Sequence, residues 1–340
     1  MSHPPETGVQ DPDIQLRKKV GKTMKLQRPL TRAALTLTAV IASALAVAGP
    51  VVANPRDPLD EDGTAHAASY AFTTIDAPGA TGTAVNANSP HAIAGEFDDA
   101  SGNTHGFVLN RGVFTQIDVP HAVLTTVNGI NANGRLAGSY VDANNVSHAF
   151  FWCNGVVTTL DPPGSIRSIS GFLNARDEVV GTYRTASQIR HGFVWRKGVF
   201  TTFDEPNSDP PLGTVAIGIN DRGQIVGDYV DRTGDRHGFL LRKGVYTTLD
   251  MPGAAHFTVA EGINDAGQIV GLYNNAPVAD LPPANQHGFV LRNGIYTTID
   301  VDVPGSTSTT IFSLNARGEI VGSYQDAQGV IHGYVGKPVR

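Results

Sequence analysis

Residues 237–273 read HGFLLRKGVYTTLDMPGAAHFTVAEGINDAGQIVGLY, and this stretch decides the fold. Its apolar and Thr-rich runs are six or seven residues long, and turn residues such as Lys243-Gly244 and Asp265-Ala266-Gly267 separate them. Such short runs between turns predict β-strands rather than helices. The predicted strands are His237–Arg242, Val245–Asp250, Thr258–Asn264 and Gln268–Tyr273.

Three motifs of this stretch recur from Tyr70 onward. A His-Gly-Phe type motif occurs at His105, His148, His191, His237, His287 and His332. A Thr-rich strand that ends in Asp occurs at Asp76, Asp118, Asp161, Asp204, Asp250 and Asp300. An Asn followed seven or nine residues later by Gly occurs at Asn86, Asn131, Asn174, Asn220, Asn264 and Asn315. Six four-stranded units, 43 to 50 residues apart, are typical of propeller blades.

We therefore predict an all-β fold, a six-bladed β-propeller over residues 70–335 with four short antiparallel strands per blade. A flat solenoid of β-layers is the alternative, but it would need terminal caps that neither end resembles. The point of ring closure stays open. Blades that begin at the Thr-Thr-x-Asp strand give six complete units, whereas blades that begin at His-Gly-Phe require His332–Val335 to share a blade with Tyr70–Asp76.

Strands that run up and down place alternate connections on opposite faces of the ring. The Lys/Arg/Asn-Gly and Asn-x-x-Gly turns share one face, called here the short-turn face. The connections after each Asp and before each His share the other, called here the long-loop face. The length variation falls on the long-loop face, at Glu205–Gly213, Asn274–Gln286 and Val301–Thr310. Variable loops on a rigid scaffold commonly carry binding sites, so this face is the candidate.

The N-terminal region carries an export signal. Residues 24–53 combine basic residues, an uncharged Ala/Leu/Val-rich run over 33–49 and small residues before a predicted cleavage after Ala53, which is the order of a secretory signal peptide. We predict that translation starts at Met24 and that residues 1–53 are absent from the mature chain. An uncleaved membrane anchor is the alternative. Residues 54–69 are predicted to form a flexible leader, and residues 336–340 a short tail.

Composition and charge exclude several classes of protein. The single cysteine, Cys153, excludes an internal disulfide framework and a Cys-based zinc site. The net charge is −6 for the whole chain and −10 after cleavage at Ala53, which disfavours binding to nucleic acid or anionic lipid. We expect a bacterial, secreted or periplasmic monomer with no membrane span in the mature chain.

The repeated His and Asp residues have two interpretations. Across the two-residue turn Lys197-Gly198, His191 lies opposite Asp204, and the same register pairs the other five, with His332 opposite Asp76. The pairs could serve acid–base or metal chemistry, or they could be cross-strand hydrogen bonds that fix strand ends. We favour the structural interpretation, because an active site normally occurs once and these pairs occur in every unit.

Residues outside the repeat are better functional candidates. They are His66, His91, His121, His256, Glu96, Asp209, Glu261, Asp280 and Asp302. No two histidines have metal-ligand spacing, and Asp231–Gly234 and Asp326–Gly329 indicate β-turns rather than cation sites. We therefore predict no metal, cofactor or assigned catalytic residue.

The repeated motif resembles one known family. His148-Ala149-Phe150 and Gly-Ile-Asn-Asp-x-Gly-Gln-Ile-Val-Gly at 218–227 and 262–271 resemble the bacterial HAF-repeat family of extracellular repeat proteins. The resemblance covers residues 70–335 and implies an exported protein without an assigned reaction.

Three functions remain open at the level of sequence. The leading hypothesis is a binding or surface-interaction module, rather than an enzyme, that holds a macromolecule or glycan on the long-loop face. The alternative is an extracellular hydrolase or lyase acting on glycans or lactones at the same face. A purely structural envelope protein is the third, and it predicts no deep pocket. An asymmetric cluster of carboxylates or histidines with shifted pKa values would favour the enzyme.

Overall fold

The computed structural model describes residues 70–254, 256–274, 286–301, 306 and 308–339. The predicted start at Met24, the signal peptide and the leader lie outside the described residues. The strands are β1 Tyr70–Ile75, β2 Gly82–Asn88, β3 Ala92–Asp98, β4 Thr104–Asn110, β5 Val113–Ile117, β6 Leu124–Ile130, β7 Leu136–Val141, β8 Ser147–Cys153, β9 Val156–Thr159, β10 Ser165–Leu173, β11 Val179–Thr185, β12 Arg190–Arg196, β13 Val199–Phe203, β14 Thr214–Ile219, β15 Ile225–Val230, β16 Arg236–Arg242, β17 Val245–Leu249, β18 Thr258–Ile263, β19 Ile269–Asn274, β20 Gln286–Arg292, β21 Ile295–Ile299, β22 Ser308–Leu314, β23 Ile320–Gln325 and β24 Ile331–Pro338.

These strands form six antiparallel four-stranded sheets, so the predicted six-bladed propeller is confirmed. Blades 1 to 5 are β2–β5, β6–β9, β10–β13, β14–β17 and β18–β21, and blade 6 is β22–β24 completed by β1. The first strand of each blade contacts the first strand of its neighbours, which makes it the inner strand of the ring. No helix among the described residues has the length and apolar character that a membrane crossing requires.

The ring closes by a latch between the two ends of the described chain. Strand β1 pairs along its whole length with β24, from Tyr70 opposite Pro338 to Ile75 opposite Gly333. Phe72 packs edge-on against Tyr334, with ring centroids 5.4 Å apart. The latch between termini that the sequence allowed is therefore confirmed, but each blade begins at its inner strand, so neither of the two starting points considered for a blade is correct. Strand β24 also takes in residues 336–338, which the sequence had assigned to the tail.

Each second strand carries a glycine where it faces the inner strand. A Cβ added to Gly227 would lie 2.0 Å from the carbonyl oxygen of Val215 and 3.0 Å from the ring of Phe239. The inner strands have a register shift beside this pairing, which crowds the backbone there. The equivalent residues are Gly95, Gly138, Gly181, Gly271 and Gly322. Glycine is thus required by packing at this position in every blade.

The Asn turns link neighbouring blades on the short-turn face. Asn131 Oδ1 accepts from the amides of Asn133 and Arg135, and its Nδ2 donates to the carbonyl of Asn174 in the next blade. The sequence-based assignment of Asn86 to this position is wrong. Asn86 lies within β2, and Ser89 opens the turn instead. Asn86 precedes its glycine by nine residues, whereas the asparagine of the other five units precedes it by seven. This difference in spacing indicates that Asn86 is not equivalent to the other five asparagines.

Candidate functional site

The predicted His–Asp register is confirmed in all six blades. The shortest distances from Nδ1 to a carboxylate oxygen are 3.0 Å for His105–Asp118, 2.8 Å for His148–Asp161, 2.9 Å for His191–Asp204, 2.9 Å for His237–Asp250, 3.0 Å for His287–Asp300 and 2.7 Å for His332–Asp76. Each pair joins the third and fourth strands of its blade at the long-loop face.

Other contacts fix each imidazole further. Every ring packs on an aromatic ring of the second strand, as His237 does on Tyr229 with centroids 5.2 Å apart. In blades 1, 2, 4 and 6 the Nε2 atom also faces the first Asp of the preceding turn, at 3.5 Å for His237 and Asp231. That Asp uses its other oxygen to accept backbone amides of its own turn, so the histidine ties the turn to the blade.

The carboxylates raise the pKa values of two of these histidines, His287 and His237. The hydrogen bond to Asp300, together with its charge, raises the pKa of His287 although burial opposes the shift. For His237, burial lowers the pKa, but the hydrogen bonds and charges of Asp250 and Asp231 outweigh it and the net shift is upward. These histidines are therefore more readily protonated than free histidine.

Stability should consequently depend on pH. A His pKa raised by folding contributes stability that is fully present below the ordinary value of 6.5 and is lost as the pH rises through the raised pKa. We expect the difference in melting temperature between the wild type and His287→Gln to shrink from pH 6 to pH 8.5. His91→Gln, at an exposed position on the short-turn face, is the control and should show no such trend. A difference for His287→Gln that grows with pH would contradict the pairing.

Blade 4 departs from the repeat at the same face. Asp235 Oδ1 lies 2.7 Å from Nδ1 of His256, which comes from the loop that follows Asp250. The residue two before the repeated histidine is Asn103, Val146, Ile189, Asn285 and Val330 in the other blades, so only blade 4 has a charge there. A cluster of Asp231, Asp235, His237 and His256 results, called here the blade 4 cluster.

The blade 4 cluster has the chemistry of a cation site. One ligand atom from each of Asp231, Asp235 and His237 lies within 4.8 Å of the others. Asp250 occupies Nδ1 of His237, which leaves Nε2 to face the two carboxylates. A carboxylate that orients an imidazole in this way is a common second partner of metal-binding histidines. These residues could hold a divalent ion such as Zn²⁺, a group of ligands that the sequence analysis did not predict.

A charged group lies beside this cluster, between blades 4 and 5. Arg236 Nη1 is 3.1 Å from Oδ2 of Asp228, and its guanidinium lies over the ring of Phe257, 5.5 Å from the centroid. Asp228 is buried, which raises its pKa against the opposing charge of Arg236. Glu261 as a residue is partly exposed, but its carboxyl is shielded from solvent. This burial, together with the charge of Asp228, raises the pKa of Glu261 to about 8. One carboxyl here is thus protonated at neutral pH.

The structure separates the other unrepeated candidates. Glu96 is fully buried in β3 of blade 1, where burial and then the charge of Asp98 raise its pKa well above the usual range. The side chain of Asn86 faces this carboxyl, and its hydrogen bond opposes the upward shift without cancelling it. His121 and Asp209 lie in loops of the long-loop face. The amide of Asp209 donates to the carbonyl of Val230, next to Asp231 of the blade 4 cluster. His66, Asp280 and Asp302 lie outside the described residues.

Asp235 is the residue that sequence reasoning missed. Its signal was present, because Asp235 and His237 are two residues apart and a strand places such residues on one face. His256 was singled out, but its contact with Asp235 depends on how the loop after Asp250 returns to the blade. The loop is held in this position by a hydrogen bond from the backbone amide of Arg236 to the carbonyl of His256. A bond between two backbone groups leaves no pattern in the sequence.

Comparison with known proteins bears on the fold. No family model matches the chain, and no curated protein matches it by sequence. Among solved structures it is similar to the SapL1 lectin in complex with α-methyl fucoside, at 13% identity and a TM-score of 0.50, over 76% of this chain and 93% of that one. The shared feature is the propeller fold.

Two further structures are similar at slightly lower scores. AofleA from Arthrobotrys oligospora has 14% identity and a TM-score of 0.49, over 82% of this chain and 88% of that one. TolB from Acinetobacter baumannii has 9% identity and a TM-score of 0.49, over 73% and 64%. At such identities the likeness extends to architecture alone.

Proposed function

We propose that the protein is an exported binding module that holds a saccharide on the long-loop face at blade 4. The observation that carries the proposal is the blade 4 cluster, where unrepeated Asp235 and His256 join repeated Asp231 and His237. The fold does not need the two unrepeated side chains, since five blades lack the acid. Unrepeated polar groups on a repeated scaffold are where a specific ligand would be recognised.

The chemistry around the cluster suits a polyhydroxylated ligand. The carboxylate and imidazole groups of the cluster, which are partly exposed or exposed, can accept or donate hydrogen bonds to neighbouring hydroxyls, and charged partners make such bonds stronger. Phe257 and the guanidinium of Arg236 add a flat surface beside them. The saccharide class is also the one that the similar propeller SapL1 was solved with.

A glycan array probed with the labelled full chain tests the proposal. Wild type should retain at least one saccharide class, and Asp235→Asn should weaken its binding by about 10-fold, the size of a lost charged hydrogen bond. Asn103 holds this position in blade 1, so the variant should fold. Asp142→Asn, which changes a turn aspartate in blade 2, is the control and should bind normally. Array-wide absence of binding, or equal losses in both variants, would contradict the proposal.

A hydrolase or lyase remains a second candidate because of one observation. Glu261, with its pKa of about 8, lies beside Asp228 between blades 4 and 5. A carboxyl that stays protonated at neutral pH can act as a general acid. The candidate predicts turnover of chromogenic glycosides or lactones that Glu261→Gln abolishes without loss of binding. Turnover that is absent in the wild type, or unchanged in Glu261→Gln, would exclude this role for Glu261.

A further inference from the structure

Charge is distributed unevenly between the two faces of the ring. Five of the 22 acidic residues in the described part of the chain lie on the short-turn face, namely Asp177, Glu178, Asp221, Asp265 and Glu319. Eleven of its 16 basic residues lie there, namely Arg111, Arg135, Arg176, Arg196, Lys197, Arg222, Arg242, Lys243, Arg292, Arg317 and Lys337. A net acidic chain thus presents one basic face, which attracts anions.

In blade 3 two arginines of this face pair with one buried acid. Glu178 is buried and accepts from Arg176 and from Arg196, each at 2.6 Å. Asn174 donates to the same carboxylate at 2.6 Å. One buried acid therefore pairs with both arginines, and it lowers the net charge of this group, with Lys197 included, from three positive charges to two.

Blade 4 has the same basic residues without the acid. Arg222, Arg242 and Lys243 occupy the positions of Arg176, Arg196 and Lys197, but Gln224 replaces Glu178 and accepts from Asn220 at 2.9 Å. None of the three basic side chains has an ion pair with a described carboxylate. The nearby Asp221 and Asp265 each accept a backbone amide of the preceding blade's turn. The group therefore lacks the direct pairing with a buried carboxylate that blade 3 has, although the charges of Asp221 and Asp265 lie nearby.

The surface around these three basic residues also contains a cleft. A cleft of about 510 Å³ lies between blades 4 and 5, lined by these basic residues and Gln224 on one side and by Ala266 and Gly267 on the other. Ala266 stands where Arg222 stands in blade 4, so its small side chain leaves the space empty of protein atoms. We call this the basic cleft.

We propose that the basic cleft binds a carboxylate group of an acidic polysaccharide, on the face opposite the blade 4 cluster. Two arginines and a lysine around one cavity match the charge of a carboxylate and the fork geometry that arginine prefers. The basic surroundings favour a polymer over a single small anion, because further charges along the chain meet further cations. No aromatic side chain lines the cleft, so stacked nucleic-acid bases lack a platform.

Binding of fluorescein-labelled polygalacturonate to the full chain, followed by anisotropy, tests the proposal. Affinity should fall steeply with salt, and Gln224→Glu should weaken it by about 10-fold, because the new carboxylate pairs with Arg222 and Arg242 as Glu178 does with its arginines. The fold accepts glutamate at this position in blade 3. Lys243→Asn, which keeps the Asn-Gly turn seen at Asn293-Gly294, is a second variant and should also weaken binding.

The control places the same charge one blade away. Gln268 holds the equivalent position in blade 5, where its amide oxygen accepts from Arg292 Nη2 at 2.8 Å, and Gln268→Glu alters the net charge of the face equally. It should change the affinity less than twofold. Equal losses in Gln224→Glu and Gln268→Glu would mean diffuse attraction and overturn the proposal. Competition by inorganic phosphate alone, or tighter binding of a single-stranded oligonucleotide, would overturn the choice of polysaccharide.

Discussion

Gly227→Ala is expected to destabilise the protein by about 3 kcal/mol, because the new methyl group would overlap a backbone carbonyl that cannot rotate away. The added Cβ would lie 2.0 Å from the oxygen of Val215. On the other side it would press against Phe239, which is fully buried. Relief requires the second strand to move away from the inner strand, which disturbs the blade and its contact with blade 5. Urea denaturation of both proteins measures the loss.

Gly244→Ala is the matched control for this prediction. Gly244 has φ of 79°, but no atom lies within 4 Å of a Cβ added there. Its substitution should cost only the left-handed backbone strain, about 1–2 kcal/mol. If the two variants lost the same free energy, close strand packing would not be the reason for the repeated glycine.

Phe72→Ala is expected to cost about 3–5 kcal/mol, the usual range for removing a buried phenylalanine. Phe72 is 6% exposed and packs against Tyr334. No hairpin tethers β1 to blade 6, so loss of this contact also weakens the closure of the ring. Hydrogen exchange should accordingly become faster over Ala71–Ile75, in addition to the lower global stability.

Phe114 provides the comparison, because it holds the same position in the outer strand of blade 1. It packs edge-on against Phe107, with centroids 6.0 Å apart, but a two-residue turn joins its strand to β4. Phe114→Ala should lower stability less and leave exchange in β5 close to that of the wild type. Equal exchange effects in the two strands would show that β1 is not a latch.

Much of the architecture could be predicted because its signals are local. Two-residue turns such as Lys243-Gly244 fix hairpin register, and that register places His237 opposite Asp250 without knowledge of the rest of the ring. Each predicted strand of the fourth unit agrees with its observed strand to within one residue at either end. The number of blades could be predicted because each of the three motifs occurs six times in the sequence.

Features that depend on distant contacts could not be predicted in the same way. Pairing of β1 with β24 joins residues more than 250 positions apart, and the sequence allows either closure. In blade 1 the turn is one residue shorter and opens at Ser89 rather than at an asparagine, so the repeated pattern pointed to Asn86 of the preceding strand instead. The blade 4 cluster depends on where the loop that carries His256 returns to the blade. The basic cleft depends on Gln224 and Ala266, which come from two different blades.

The central claim is that the repeated His–Asp pairs fix the outer two strands within each blade, while one unrepeated cluster binds the ligand. Native mass spectrometry of the full chain with the saccharide selected on the array tests this most directly, because it counts bound ligands. The account predicts one saccharide per chain, with the bound fraction reduced in Asp235→Asn and unchanged in Asp142→Asn. Several equivalents per chain, with the same number in both variants, would show that binding follows the repeat and would contradict the account.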